Sequence, residues 1–204
     1  MTNEELAREV ARGLVETGVE GGYDAVSCST AGDYPSIGCS QWEGARADTL
    51  LGYIDGGDYY AGRSYSDIEE SGELDDLKAL ISSEQGIEAQ LMILAQDAID
   101  YVEAAIDAGL DDSRSIIYCG IWGPTSTHCV YTFIKKCLDK GIDMNDLDAC
   151  AAAFRDDYWI WADVGRKYRA GYQNRSDNTY LYVAGLDLSA YGVPEYESGE
   201  SEDE

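Results

Sequence analysis

Carboxylates and aromatic rings dominate the residues of this chain that could do chemistry, whereas imidazole is confined to a single residue, His128. A Ser-His-Asp relay, a Cys-His pair or a multi-histidine metal centre would all have to be built around that one side chain beside a helix start. The six cysteines, at 28, 39, 119, 129, 137 and 150, include no CxxC pair, so neither a zinc knuckle nor a thioredoxin-like site is expected. They read as thiols, with Cys28 and Cys39 the pair to bridge under oxidising conditions, because they flank a predicted hairpin. No glycine-rich phosphate loop with its lysine is present, and Gly21-Gly22 lacks the preceding strand that a dinucleotide site needs. No metal and no cofactor is therefore expected. What remains suits glycoside cleavage, which needs a protonated acid at the leaving oxygen and flat or amide-bearing side chains to hold sugar rings.

Among 40 acidic residues, position has to discriminate. Glu20 stands just beyond the end of the first predicted helix, where the negative end of the helix dipole favours its protonated form. The two glycines that follow let the backbone turn sharply before Tyr23, and burial there within a strongly negative field would raise the carboxyl pKa. Glu20 is the candidate general acid. Asp33, near the predicted hairpin tip, and Asp24, four residues past the acid, are candidates for a second carboxylate; a separation of about 6.5–9.5 Å would hold a water and imply inversion. Without one, Glu20 would act alone, first as the acid and then as the base. Tyr23 and Trp122 are the candidate rings to stack on sugar. Trp159 and Trp161 read as packing.

The run Glu20-Gly21-Gly22-Tyr23, then Gly32, then Ser36-Ile37-Gly38-Cys39-Ser40-Gln41-Trp42 resembles the lysozyme-like superfamily of peptidoglycan-cleaving enzymes. In particular it is similar to a group of phage endolysins and tail-associated lysins in which a helix ends in Glu-Gly-x-Tyr and a Gly- and Ser-rich hairpin leads into Gly-x-x-Gln-Trp. Without a second carboxylate, this resemblance implies a Glu20 that protonates the leaving oxygen and then takes a proton from the muramyl 6-hydroxyl, as a lytic transglycosylase does. The resemblance implies Glu20 as catalytic acid, with Ser36 and Gln41 lining a sugar cleft. It covers about residues 1–175, with its specificity concentrated in 20–46. The chain departs from the pattern at Glu43, where a histidine commonly follows Gln-Trp, and at Ile121-Trp122-Gly123-Pro124, where an Asn-Gln pair is expected.

The elements that must position these residues are mostly helical. Thr2 and Glu5 form a capping box for a helix with Leu6, Val10 and Leu14 on one face, ended by Gly18. Short β pieces at 26–29 and 35–39 follow, then helical spacing from Trp42 to Ile54 and a tyrosine-rich connection. Further helices are predicted at 74–81, from Ser83 to Gly109, at 113–121, over 129–138, at 146–156 and at 163–173. The expected class is α+β, mostly α: a lysozyme-like helical domain over 1–188 with a small antiparallel hairpin after the first helix. The acidic segment 189–204 is expected to be disordered.

Fourteen basic against 40 acidic residues leave a net charge of −26. That charge disfavours phosphate backbones and anionic membranes, so no nucleic-acid partner and no membrane partner is expected. No apolar run approaches the roughly 18 residues of a membrane span, and the amphipathic start does not read as a secretion signal. The expected location is the host cytoplasm on synthesis, with action at the cell wall after release or as part of a phage particle. The expected partner is cell-wall glycan. Two rivals suit the charge: a chitosanase-like glycosidase on a cationic polysaccharide, and a non-catalytic acidic virion protein or DNA mimic.

Overall fold

The structure, a computed structural model, describes residues 1–196. It is mostly helical, with one two-stranded antiparallel sheet placed after the first helix. In chain order the elements are α1 (Asn3–Glu16), β1 (Val26–Cys28), β2 (Pro35–Ile37), α2 (Ala45–Gly52), α3 (Tyr65–Glu70), α4 (Leu74–Ile81), α5 (Glu84–Asp107), α6 (Ser113–Ile121), α7 (Thr127–Asp139), α8 (Leu147–Ala153), a π-helical turn (Phe154–Tyr158), α9 (Trp159–Trp161) and α10 (Arg169–Ala184). No helix among the described residues is long and apolar enough to cross a membrane.

The chain divides into two compact units. One comprises Met1–Val19 with the stretch from Ala95 onward, and the other Glu20–Leu94. In the first unit, α1 starts as its sequence predicts. The Thr2 hydroxyl accepts the Glu5 N–H at 3.2 Å, and the Glu5 carboxylate accepts the Thr2 N–H at 2.7 Å. Its buried face, Leu6, Val10 and Leu14, lies against α6 and α10. A Cβ at Gly120 would fall 2.5 Å from Val10, and one at Gly13 would fall 2.3 Å from Ile121, so these two glycines permit the close approach of α1 and α6. The core continues through an aromatic cluster in which Trp122 meets Phe154, Tyr158 and Tyr172.

Two stretches of this unit differ from the sequence reading. The helix expected at 163–173 begins only at Arg169, because Asp163 and Gly165 take positive φ angles of 51° and 76° that interrupt helical geometry; it then runs on to Ala184. The segment expected to be disordered from 189 is structured as far as the description reaches. Arg114 donates to the carbonyls of Val183, Leu186 and Pro194, and the Tyr196 hydroxyl donates to Asp148 at 2.6 Å. Residues 197–204, the rest of that expected tail, lie outside the described residues.

In the second unit, the strands pair in the register Val26 with Ile37, Ser27 with Ser36 and Cys28 with Pro35. Ile37 also bridges to Trp42, which closes a tight loop over 38–41. Trp42 is buried, and α2 starts after it, at Ala45. The tyrosine-rich connection contains a helix that the sequence reading lacked, α3, capped by the Ser64 hydroxyl at the Asp67 N–H.

Candidate active site

Glu20 is the first residue of the second unit and stands half-buried at the start of the loop into β1. Its neighbour Gly21 donates its N–H to the Cys39 carbonyl at 2.8 Å. The Cys39 thiol is buried; burial first, and the negative charge of Glu20 second, push its pKa up to about 11. At neutral pH Cys39 is therefore a neutral thiol beside the Glu20 carboxyl, and it does not compete as a nucleophile.

The loop is held from behind by a residue that the sequence reading passed over. Gln90, on α5, is fully buried and spends its whole side chain on this region. Its Oε1 accepts the Cys39 N–H at 2.8 Å, while its Nε2 donates to the carbonyls of Tyr23 at 3.0 Å and Ile81 at 2.7 Å. One amide thus holds Tyr23, at the end of the Glu20–Tyr23 turn, and Cys39, whose carbonyl accepts the Gly21 N–H within it. The signal was available: Gln90 is a polar residue three positions from Ile87 on a face otherwise assigned to the core.

Gln41 and Ser36 form a second tight group. Gln41 has φ of 51°, an uncommon backbone conformation for a residue with a side chain, and its amide is engaged locally. Its Oε1 accepts from Ser27 Oγ at 2.7 Å and lies 3.3 Å from Ser36 Oγ, and its Nε2 donates to the Gly38 carbonyl at 3.1 Å. One of the two Nε2 hydrogens is left over on this exposed side chain. Ser36 is buried, and its hydroxyl lies 3.1 Å from the Gln41 carbonyl. Ser36 thus serves to shape the loop, while Gln41 retains a donor for a ligand.

The carboxylates of this unit are set in different surroundings. Asp33 accepts the Ser66 N–H at 2.9 Å and the Ser66 hydroxyl at 3.0 Å, tying the hairpin tip to the first turn of α3. These two bonds, the backbone one first, hold its pKa below the usual carboxylate value, so Asp33 stays charged and is a weaker base for it. It also lines a cavity of about 280 Å³ with Tyr34, Asp48, Tyr60 and Arg63; Glu20 does not line that cavity. Asp24 is exposed in the turn closed by Ala25 N–H to Gly22 C=O at 3.1 Å. Tyr23 is half-buried beside it.

Trp122 belongs to the other unit and has no exposed surface. Its ring is enclosed by Phe154, Tyr158 and Tyr172, with the Arg175 guanidinium 4.7 Å from the ring centroid, so it is a core residue with no face left for a sugar. Trp161, which reads from sequence as packing, is more than a third exposed. Cys28 and Cys39 are both free. The register places Cys28 opposite Pro35, while Cys39 lies beyond the end of β2, so the two do not face each other. No group of three or more His, Cys, Asp or Glu side chains among the described residues is arranged to hold a metal ion.

No protein-family model, no curated protein and no solved structure matches the chain.

Proposed function

We propose that this protein cleaves the glycan strand of bacterial peptidoglycan, as a muramidase or lytic transglycosylase of the phage lysin type, with Glu20 as the general acid. The observation that carries the reading is the half-buried setting of Glu20 beside the Cys39 thiol, in a loop that Gln90 clamps at both Cys39 and Tyr23. A proton donor gains from partial burial, because desolvation favours the neutral carboxyl. The resemblance of residues 20–46 to lysozyme-like lysins supplies the substrate class, and the helix-then-hairpin order is what that resemblance leads one to expect.

In this reading Glu20 protonates the glycosidic oxygen as the bond to the anomeric carbon breaks. Gln41 offers its spare Nε2 hydrogen to a sugar hydroxyl or acetamide, and Tyr23 packs against a ring. In a hydrolase, Asp33, held as a carboxylate by Ser66, is the candidate to activate water. In a lytic transglycosylase Glu20 performs both steps, returning as a base toward the muramyl 6-hydroxyl.

The net charge of −26 favours a second substrate, a cationic polysaccharide such as chitosan, which an acidic surface attracts where an anionic wall is repelled. One experiment addresses both. Purified cell walls and chitosan are incubated with wild type and with Glu20→Gln, and the soluble fragments are analysed by mass spectrometry. Wild type is expected to release wall fragments that the variant does not, and the reducing or 1,6-anhydro ends identify the reaction. Fragments from chitosan alone would transfer the activity to the cationic substrate. Release from neither substrate would leave the non-catalytic acidic protein, and equal release by both proteins would remove Glu20 from the site.

A further inference from the structure

A cavity of about 270 Å³ opens in the unit that does not carry Glu20. One wall is α7, which contributes Phe133, Lys136, Cys137 and Lys140; the other is the stretch after the π turn, with Ile160 and Trp161. Three features set this place apart from the rest of the surface.

The first is its charge. In a chain of −26 with only five lysines, three lie on or at the end of α7, at 135, 136 and 140. Lys136 and Lys140, four residues apart, share a helix face and line the cavity together. Neither joins a salt bridge among the described residues. The Lys136 ammonium instead lies 4.2 Å from the centroid of the Trp161 ring. The C-terminal dipole of α7 accounts for lysines at these positions, but not for the aromatic wall that faces them.

The second is exposed apolar surface. Ile160 is 58% and Trp161 37% exposed, and both line the opening. The third is the backbone. The five-residue π turn, Phe154–Tyr158, sends Phe154 and Tyr158 into the core and widens the helix just before Trp159–Trp161. Such turns are rare and recur at functional sites, because the extra residue changes the direction of the side chains that follow.

We propose that this cavity binds a small aromatic carboxylate, its ring against Trp161 and Ile160 and its charge between the ammonium groups of Lys136 and Lys140. The volume sits at the lower edge of the range for small-molecule pockets, which fits one or two fused rings rather than a polymer. Asp157, the remaining lining residue, repels a second negative charge and so favours a monoanion over a phosphate dianion. Cys137 contributes apolar wall and no nucleophile, since burial pushes its thiol up to about 11. The site is independent of glycan cleavage.

The test is a calorimetric titration of the full chain with 2-naphthoate, with its neutral counterpart 2-naphthamide, and with inorganic phosphate. Saturable one-to-one binding of naphthoate is expected, with naphthamide about tenfold weaker or worse, the equivalent of about 1.4 kcal/mol, and phosphate unable to compete. The Lys136→Gln/Lys140→Gln variant and Trp161→Ala are each expected to raise the naphthoate Kd about tenfold or more. Equal affinity for naphthamide and naphthoate, or no saturation by naphthoate, would overturn the proposal. That comparison uses wild type alone, so it decides even where a variant fails to fold.

Discussion

The Gln90 side chain accepts the Cys39 N–H at 2.8 Å across 51 positions of sequence, joining α5 to the loop that turns beside Glu20. Because the same amide also donates to Tyr23 and Ile81, its oxygen and both of its N–H hydrogens are engaged. A buried network of this kind is stable only when whole.

Gln90→Leu removes the amide and leaves one N–H and two carbonyls without their partners in a buried setting. Each orphaned group costs roughly 1–3 kcal/mol, so a loss of about 3 kcal/mol or more in unfolding free energy is expected in urea titrations. Gln90→Glu is expected to be no better, since a carboxylate presents oxygen to the Tyr23 and Ile81 carbonyls. Unchanged stability in both variants would remove Gln90 from its positioning role.

Gln41 separates a structural tie from a sugar contact. Gln41→Gly relieves the positive φ, a gain of roughly 1 kcal/mol, but removes the bonds to Ser27, Ser36 and Gly38. Gln41→Ala loses the bonds and keeps the strain, so it is expected to be the less stable of the two by about 1 kcal/mol. If the side chain also holds substrate, both variants lose wall-solubilising activity equally despite that difference. Activity that follows stability instead would make Gln41 purely a loop tie.

Glu73 predicts a specific pH response. Hydrogen bonds from Ser71 first, then from Tyr59 and Arg63, lower its pKa to about 2. A carboxylate depressed on folding stabilises the native state fully above its ordinary value, and that contribution disappears as the pH falls toward about 2. The urea midpoints of wild type and Glu73→Gln are therefore expected to differ most near pH 7 and to converge below pH 3. A constant difference across that range would mean that the bonds from Ser71, Tyr59 and Arg63 do not hold the Glu73 carboxylate below its ordinary pKa.

Trp122 acts through folding. Trp122→Ala leaves a cavity among Phe154, Tyr158 and Tyr172 and is expected to destabilise by about 3–5 kcal/mol. At a temperature where the variant remains folded, its KM for wall fragments is expected to match that of wild type. A raised KM with unchanged stability would return Trp122 to the substrate-contacting residues.

The mostly helical class with one hairpin was legible because its signals are local. The Thr2–Glu5 capping box, the four-residue spacing of Leu6, Val10 and Leu14, and the glycine and serine punctuation around 26–39 each act within a few residues. The helices at 74–81 and 113–121 have the bounds that sequence gave them, for the same reason. The continuation of α10 past residue 173 was hidden because its buried face there is Ser176, Thr179 and Val183, polar or β-branched positions with little apolar period. The Tyr118 and Ser176 hydroxyls meet at 2.8 Å, so the face is buried by hydrogen bonding that hydropathy does not register.

The candidate site divides in the same way. Glu20, with its helix end and paired glycines, could be singled out from the chain because a turn after a helix is a local event. That Gln90 would reach Cys39 and Tyr23, that Asp33 would be tied to Ser66, and that Trp122 would be enclosed while Trp161 stayed open were decided only in three dimensions. Each depends on pairings of 12 or more residues' separation, or on which ring the packed neighbours enclose, and a linear pattern holds no record of either. Sequence fixes what each residue can do; the tertiary fold decides which neighbours it spends that capacity on.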